Sequence, residues 1–293
     1  MQVELTDIQY GCTHDGPGIR TVLFFKGCPL SCRWCHNPEA MSPDRELVYR
    51  PYKCIGCGRC AAVCPQGAHR VADGVHSYDP EKCAACMACA APFVCPPQAV
   101  EAASKPYDTA EAVALALRDA AFYRERGGIT LSGGEPTFQP EAFRDIVLRA
   151  KAAGLSVCVE TCGAFDAAMA AFIAENVDTV LFDVKDTDPG RHLRNTGWPL
   201  EAVLNSLRAL DAGGVTLRLR CVLIPEVNMT EEHARKLAAL RDSLAHCEGV
   251  DLLPYHTMGL SKAECLACNT TEPFTPPTPE QTAQFAAWMK GKE

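Results

Sequence analysis

Three cysteines, Cys28, Cys32 and Cys35, stand in the stretch GCPLSCRWCHNPEA at residues 27–40, with no fourth nearby. Thiolates are soft ligands that select iron-sulfur clusters or zinc over hard cations. Three of them can anchor a four-iron cluster and leave one iron open to an exchangeable ligand. A zinc site completed by His36 is the alternative chemistry for the same residues, and the cysteine runs that follow weigh against it.

Eight more cysteines fall between Val48 and Val100. CIGCGRCAAVCP places Cys54, Cys57, Cys60 and Cys64 in the C-x2-C-x2-C-x3-C-P spacing of bacterial ferredoxins. CAACMACAAPFVCP spaces Cys83, Cys86 and Cys89 the same way, with Cys95 delayed by two residues. The fourth cysteine of such a run serves the other cluster. The expected ligand sets are therefore Cys54, Cys57 and Cys60 with Cys95, and Cys83, Cys86 and Cys89 with Cys64. Zinc sites favour two C-x2-C pairs or cysteine and histidine mixtures, so two [4Fe-4S] clusters suit these triplets better. Of the other thiols, Cys158 and Cys221 lie in strand patterns and read as small core residues. Cys12, Cys162 and Cys247 carry no motif of their own, and Cys265/Cys268 reads as a loop feature.

These residues need a scaffold. TVLFFK at residues 21–26 reads as a strand, and from Asp108 onward short apolar runs alternate with helical patterns. DTAEAVALALRDAAFYRERG is expected to be one helix, opened by an Asp108/Glu111 capping box and closed by Gly127. GITL, LSVCVE, TVLFDVK, VTLRLRCVLI and VDLLPY read as the later strands, each followed by a helix. Such alternation predicts an α/β fold whose parallel sheet curls into a partial (β/α)6 barrel. The stretch 48–100 interrupts the first unit and is poor in large apolar residues. It reads as an inserted two-cluster ferredoxin-like domain whose two cysteine runs form an internal repeat. The barrel is left with residues 1–47 and 101–293.

Barrel enzymes keep their chemistry at the C-terminal ends of the strands. The three cysteines follow the first strand and Ser132–Pro136 (SGGEP) the second, where glycines let the backbone approach a ligand closely. Glu160-Thr161-Cys162-Gly163 follows the third strand, Asp183-Val184-Lys185 ends the fourth, Arg220 lies on the fifth and His256 follows the sixth. Asp15, with the turn Gly16-Pro17-Gly18, precedes the first.

C-x3-C-x2-C with Trp34 before its last cysteine resembles the signature of the radical S-adenosylmethionine (SAM) enzymes. HDGPGIRT, FFKGCPL, CRWCHNPE, SGGEPT and LLPYHTMG narrow the resemblance to the glycyl-radical-enzyme activating enzymes, in the insert-bearing branch related to pyruvate formate-lyase activating enzyme. The resemblance implies that the open iron chelates the amino and carboxylate groups of SAM, and that the reduced cluster cleaves SAM to methionine and a 5′-deoxyadenosyl radical. That radical would take a hydrogen atom from a glycine α-carbon of a partner glycyl radical enzyme. Trp34, His36, Gly133, Gly134, Glu135, Thr161, Asp183, Val184, Lys185, Arg220 and His256 are the SAM-contacting candidates that it implies. Glu160, Thr161 and Asp183 would hold a monovalent cation, with glutamate at 160 where relatives often carry aspartate. Asp15 is the candidate for meeting the partner's glycine loop. Flavodoxin or ferredoxin would be the electron donor, and the inserted clusters are expected to pass its electrons to the SAM cluster. No strand pattern follows the last helix, unlike in many relatives, which implies different partner docking there.

Composition agrees with this reading. The chain has 293 residues, 47% hydrophobic and 22% charged, enough for one large core and a small appendage. A net charge of -8 and a pI near 5.5 leave no basic surface for nucleic acid. No apolar run is long enough to span a membrane, and MQVELTDIQYGC lacks the basic and apolar parts of a secretory signal, so the expected location is the cytoplasm. Eighteen cysteines, mostly two residues apart in a long chain, point to metal rather than disulfides. Exposed cluster iron implies oxygen sensitivity and an anaerobic setting. The rivals are a radical SAM enzyme acting on a small molecule or another peptide, and a multi-cluster electron-transfer protein. HDGPGIRT and the insert argue against the first, and the SAM-binding motifs against the second.

Overall fold

The computed structural model describes residues 1–266 and 271–291. Strands β1 (Gln2–Cys12) and β2 (Arg20–Phe25) open the chain as an antiparallel pair. The cysteine-rich segment then carries β3 (Leu47–Tyr49), the short helix α1 (Arg59–Val63), the hairpin β4 (His69–Ala72) and β5 (Val75–Tyr78), and β6 (Val100–Ala102). β7 (Lys105–Asp108) returns to pair antiparallel with β1. Alternation follows: α2 (Thr109–Leu117), α3 (Ala120–Tyr123), β8 (Gly128–Gly133), α4 (Pro140–Ala152), β9 (Ser156–Thr161), α5 (Ala167–Asn176) and β10 (Thr179–Asp183). The chain continues with α6 (Pro189–Thr196), α7 (Leu200–Ala212), β11 (Thr216–Leu223), α8 (Glu231–Asp242), β12 (Cys247–Pro254), α9 (Met258–Ala263) and α10 (Pro279–Met289).

One sheet of eight strands runs in the order β12-β11-β10-β9-β8-β2-β1-β7. The stretch from β2 to β12 is parallel throughout, as the alternation predicts. Its strand order follows the chain without reversal, so right-handed crossovers put the helices on one side of the sheet. Phe143, Ile146, Ile173 and Leu207 from those helices meet Leu131, Val159, Phe182 and Leu219 from the strands in the main core. The opposite side is left for chemistry. β11 shows the division: Leu217, Leu219, Cys221 and Leu223 are buried in the core, while Arg218, Arg220 and Val222 alternate with them and line cavities.

Two features depart from the sequence expectation. β1 and β7 extend the sheet antiparallel, with Val3 and Leu5 of β1 buried. The single helix expected over 108–127 divides into α2 and α3, because the Tyr123 hydroxyl donates back to the Ala116 carbonyl (2.5 Å) and is hydrogen-bonded to the Thr21 hydroxyl (2.8 Å), pinning the chain there. Asp108 does cap α2, accepting from the Ala110 N–H at 2.9 Å, and its other oxygen takes the Met1 ammonium at 3.0 Å.

The 48–100 segment has two small sheets, β3 with β6 and β4 with β5. β3 and β6 pair antiparallel, with Tyr49 facing Val100, so the chain leaves and returns at one point. No helix among the described residues is long and apolar enough to cross a membrane.

Candidate functional site

A cavity of about 480 Å³ opens at the C-terminal ends of the parallel strands. The loop after β2 brings Cys28, Cys32, Trp34, Cys35 and His36 to it; the end of β8 brings Ser132 and Gly133, with Gly134 following. Glu160 and Thr161 come from β9, Asp183 and Lys185 from β10 and the residues after it, Arg220 from β11 and His256 from beyond β12. Asp15 lines the same cavity from the turn between β1 and β2. Residues 28 to 256 in the chain thus meet in one space, since each parallel strand ends on the same rim.

Two expected residues do not line it. Val184 is in the core, 1% exposed. Glu135 is fully buried and accepts from Thr161 Oγ1 (2.7 Å), the Cys162 N–H (2.9 Å) and Thr137 Oγ1 (2.8 Å). Its carboxylate therefore braces the turn after β9 from behind rather than facing the cavity.

The three-cysteine loop is held mainly through its backbone. Gly27 and Cys28 donate to the Ala40 and Met41 carbonyls at 2.8 and 3.0 Å, and Ser31 and Arg33 donate to the Thr196 and Asn195 carbonyls at 2.8 and 3.1 Å. Gly134 presses against it so closely that a Cβ there would lie 2.3 Å from the Gly27 carbonyl oxygen. Gly259 of α9 does the same from the other side, where a Cβ would stand 2.5 Å from the Cys35 carbonyl oxygen. Lys262, also on α9, donates to Asn37 Oδ1 (3.0 Å) and Glu39 Oε1 (2.8 Å). His36 and His256 meet edge to face with ring centroids 4.4 Å apart.

Burial raises the Cys32 thiol well above its ordinary value and pushes Cys35 up to about 12. These thiols become ligands only when a metal centre compensates the buried charge. His36 is pushed down to about 4 by burial and by the Lys262 ammonium, so it is a neutral ring at the rim. Lys185 loses solvation, yet Asp183, 2.8 Å away, and the Cys32 thiol hold it protonated. Glu160 takes the Ser132 hydroxyl at 2.5 Å and faces Arg220 Nη1 at 2.7 Å. Arg220 Nε and Nη1 are buried at the cavity wall and make no hydrogen bond of proper geometry. A guanidinium in that condition suits a carboxylate ligand, which would satisfy its fork. The residues present therefore fit a three-thiolate cluster beside an amino-acid-like ligand. Glu160, Thr161 and Asp183, the expected cation ligands, are each engaged by protein partners: Arg220 and Ser132, Glu135 and the Gly163 N–H, and Lys185.

In the 48–100 segment, burial raises the Cys60 thiol, and Cys95, Cys54 and Cys57 add to it as neighbours. Burial pushes Cys89 up to about 11, with Cys83, Cys64 and Cys86 adding. The two neighbour sets match the crossed ligand sets. Cys158 and Cys221 are fully buried, as expected of core residues. Cys265 is half-buried, and Cys268 lies outside the described residues.

Sequence reasoning missed several residues at these centres. Cys162 is buried on the wall of the main cavity, its thiol 3.0 Å from Glu135 Oε2; its place after β9 beside Thr161 was the available signal. Asn37 and Lys262 also line it. His69 and His76, beside Cys60, carry no motif and emerge only from the hairpin's folding.

The 4Fe-4S binding domain family matches residues 47–68, and the Radical SAM superfamily family matches residues 66–238. The benzylsuccinate synthase activating enzyme of Thauera aromatica is 37% identical over 264 residues, covering 88% of this chain and 80% of the relative. The choline trimethylamine-lyase activating enzyme of Oleidesulfovibrio alaskensis is 36% identical, covering 87% and 84%. The indoleacetate decarboxylase activating enzyme of Tractidigestivibacter scatoligenes is 32% identical, covering 98% and 94%. With SAM-type motifs on one rim, cysteines in the expected runs and these relatives along most of its length, the chain belongs to the radical SAM superfamily, among the activating enzymes of glycyl radical enzymes.

Proposed function

We propose that this protein binds SAM in the 480 Å³ cavity and directs the resulting 5′-deoxyadenosyl radical to a glycine of a partner glycyl radical enzyme. The observation that carries the site assignment is the meeting of Cys28, Cys32 and Cys35 with Arg220, whose Nη1 faces Glu160 and whose buried Nε makes no hydrogen bond. When bound, the [4Fe-4S] cluster supplies the electron that splits SAM into methionine and the radical.

The chain's own residues do the rest. Cys28, Cys32 and Cys35 hold the cluster, and Arg220 takes the carboxylate of the methionyl part. Gly133 and Gly134 give the close backbone approach that the ligand's amino group needs. Asp183 and Lys185, paired with each other, offer polar contacts deeper in the cavity, and Trp34, His36, Thr161 and His256 close its sides. Glu135 holds Thr161 and Cys162 in place, and Asp15 stands where a partner's glycine loop would enter. Water is excluded by Leu30, Trp34 and Tyr255, which pack around the cysteine loop.

The sheet is proposed to be a partial (β/α)6 barrel of residues 1–47 and 101–293, with residues 48–100 as a two-cluster ferredoxin-like insert. The crossed neighbours of Cys60 and Cys89 support this, as does the family match over 47–68. Three [4Fe-4S] clusters result, and the insert pair passes electrons from flavodoxin or ferredoxin to the SAM cluster in a reducing cytoplasm. Protein purified without oxygen and reduced by dithionite with SAM is expected to yield 5′-deoxyadenosine from wild type and none from Cys32→Ala. Equal yields from the two would sink the assignment.

A further inference from the structure

We propose that His76 sets the reduction potential of the insert cluster ligated by Cys60, by donating a hydrogen bond from Nε2 to the Cys60 sulfur, with His69 fixing the ring. This rests on the reading of Cys60 as a cluster ligand.

His76 Nε2 lies 3.5 Å from Cys60 Sγ and 3.0 Å from His69 Nδ1. The hairpin that delivers both rings has a two-residue turn, Asp73-Gly74, with φ of +52° and +75°, the left-handed pair that keeps two strands in tight register. That register sets His69 opposite Tyr78 and Val71 opposite His76, so His69, His76 and Tyr78 share one face. The rings then stack: Tyr78 to His69 at 4.9 Å and His69 to His76 at 5.1 Å, with Tyr49 edge-on to His76 at 4.6 Å. The turn seats against the first cysteine loop, where a Cβ on Gly56 would lie 2.2 Å from the Gly74 carbonyl oxygen. The distance from ring to sulfur is thus fixed by backbone contact.

A ligating sulfur is a thiolate and only accepts. A bare nitrogen lone pair facing it would repel, so the proton of His76 sits on Nε2, and His69 Nδ1 accepts from the same N–H. This leaves His69 Nε2 as a buried donor and His76 Nδ1 as a buried acceptor, both without partners. Each unmet group carries an uncompensated desolvation cost. Apolar rings would fill the space without that cost; what the two imidazoles add is a hydrogen-bond donor at the Cys60 sulfur. A donor to a cluster sulfur favours the more negative, reduced state and raises the potential.

Potentiometric titration followed by electron paramagnetic resonance, on full-length protein with its clusters reconstituted, tests this. His76→Phe is expected to keep the iron content, about twelve per chain for three clusters, while one midpoint moves to more negative potential. The ratio of reduced to oxidised cluster at fixed potential should fall about tenfold, ~59 mV for a one-electron couple. His76→Gln, which retains an N–H donor, should stay near wild type. Unchanged midpoints in His76→Phe at full iron content would overturn the proposal. So would loss of about four irons in both variants, which would make His76 a ligand or a scaffold. A wild-type chain holding only about four irons would overturn the insert-cluster reading and the proposal with it.

Discussion

Arg220 and His233 show how the same burial ends differently for two basic groups. Arg220 keeps its charge at the cavity wall because Glu160 and Asp183 face it, yet two of its nitrogens lack hydrogen bonds. If they take the carboxylate of SAM, Arg220→Ala removes a charge-assisted interaction of about 1.5–3 kcal/mol. SAM affinity, measured by equilibrium binding to the reconstituted protein, should then fall about tenfold to a hundredfold at unchanged circular dichroism. His233 instead stays neutral: it is fully buried, accepts from the Thr187 N–H at 3.2 Å, and is pushed down to about 4 by burial against the opposing pull of Asp186. An unfolded histidine titrates near ~6.5. Its contribution to stability is therefore complete above that value and declines as pH falls toward 4. Ring resonances of His233 titrating near 4 would agree, and a midpoint near the unfolded value would show the ring is not sealed as described.

At the scale of elements, the site depends on close backbone approaches that side chains would block. α9 lies on the three-cysteine loop through Gly259, with no room for a methyl group beside the Cys35 carbonyl. Gly259→Ala is expected to push α9 off the loop and release the open-site cluster. Anaerobic iron analysis should show a loss of about four irons per chain, with the ferredoxin-type signals of the insert retained. Full iron content with normal SAM binding would show that the loop tolerates the displacement. The Lys262 contacts to Asn37 and Glu39 lie on the same helix and would be strained with it.

At the scale of the whole molecule, residues 48–100 are bracketed by one strand pair, β3 with β6. Tyr49 faces Val100 across the β3 and β6 pair, so the chain between them is topologically removable. Replacing residues 50–99 by Asn-Gly, a two-residue hairpin turn, should leave a folded protein with about four irons. That protein should bind SAM with wild-type affinity and give 5′-deoxyadenosine with dithionite. Turnover with flavodoxin or ferredoxin should be lost. Undiminished turnover with either protein donor would rule out the insert as the electron route.

The cysteine runs and the strand and helix alternation were legible because their physics is local. Ligands two or three residues apart serve one cluster, and an apolar period of two or 3.6 residues belongs to one element. Their placement on one rim followed from parallel strands ending on the same side. Four things required the folded chain. β7 joins the sheet only by pairing with β1, Gln2 opposite Asp108, and the break between α2 and α3 comes from Tyr123 reaching back to Thr21 and Ala116. Glu135 sits in a motif that reads as a ligand contact, but its neighbours Thr161 and Cys162 turn it inward. The histidines beside Cys60 are the clearest case. Nothing in their spacing marks them; a two-residue turn and the pleat of a hairpin aim both at one sulfur. Sequence alone determined the family, the thiolate runs and the order of elements, since each is written in neighbouring residues. Tertiary structure decided which side chains line the cavity and which brace its wall, because that depends on partners distant in the chain.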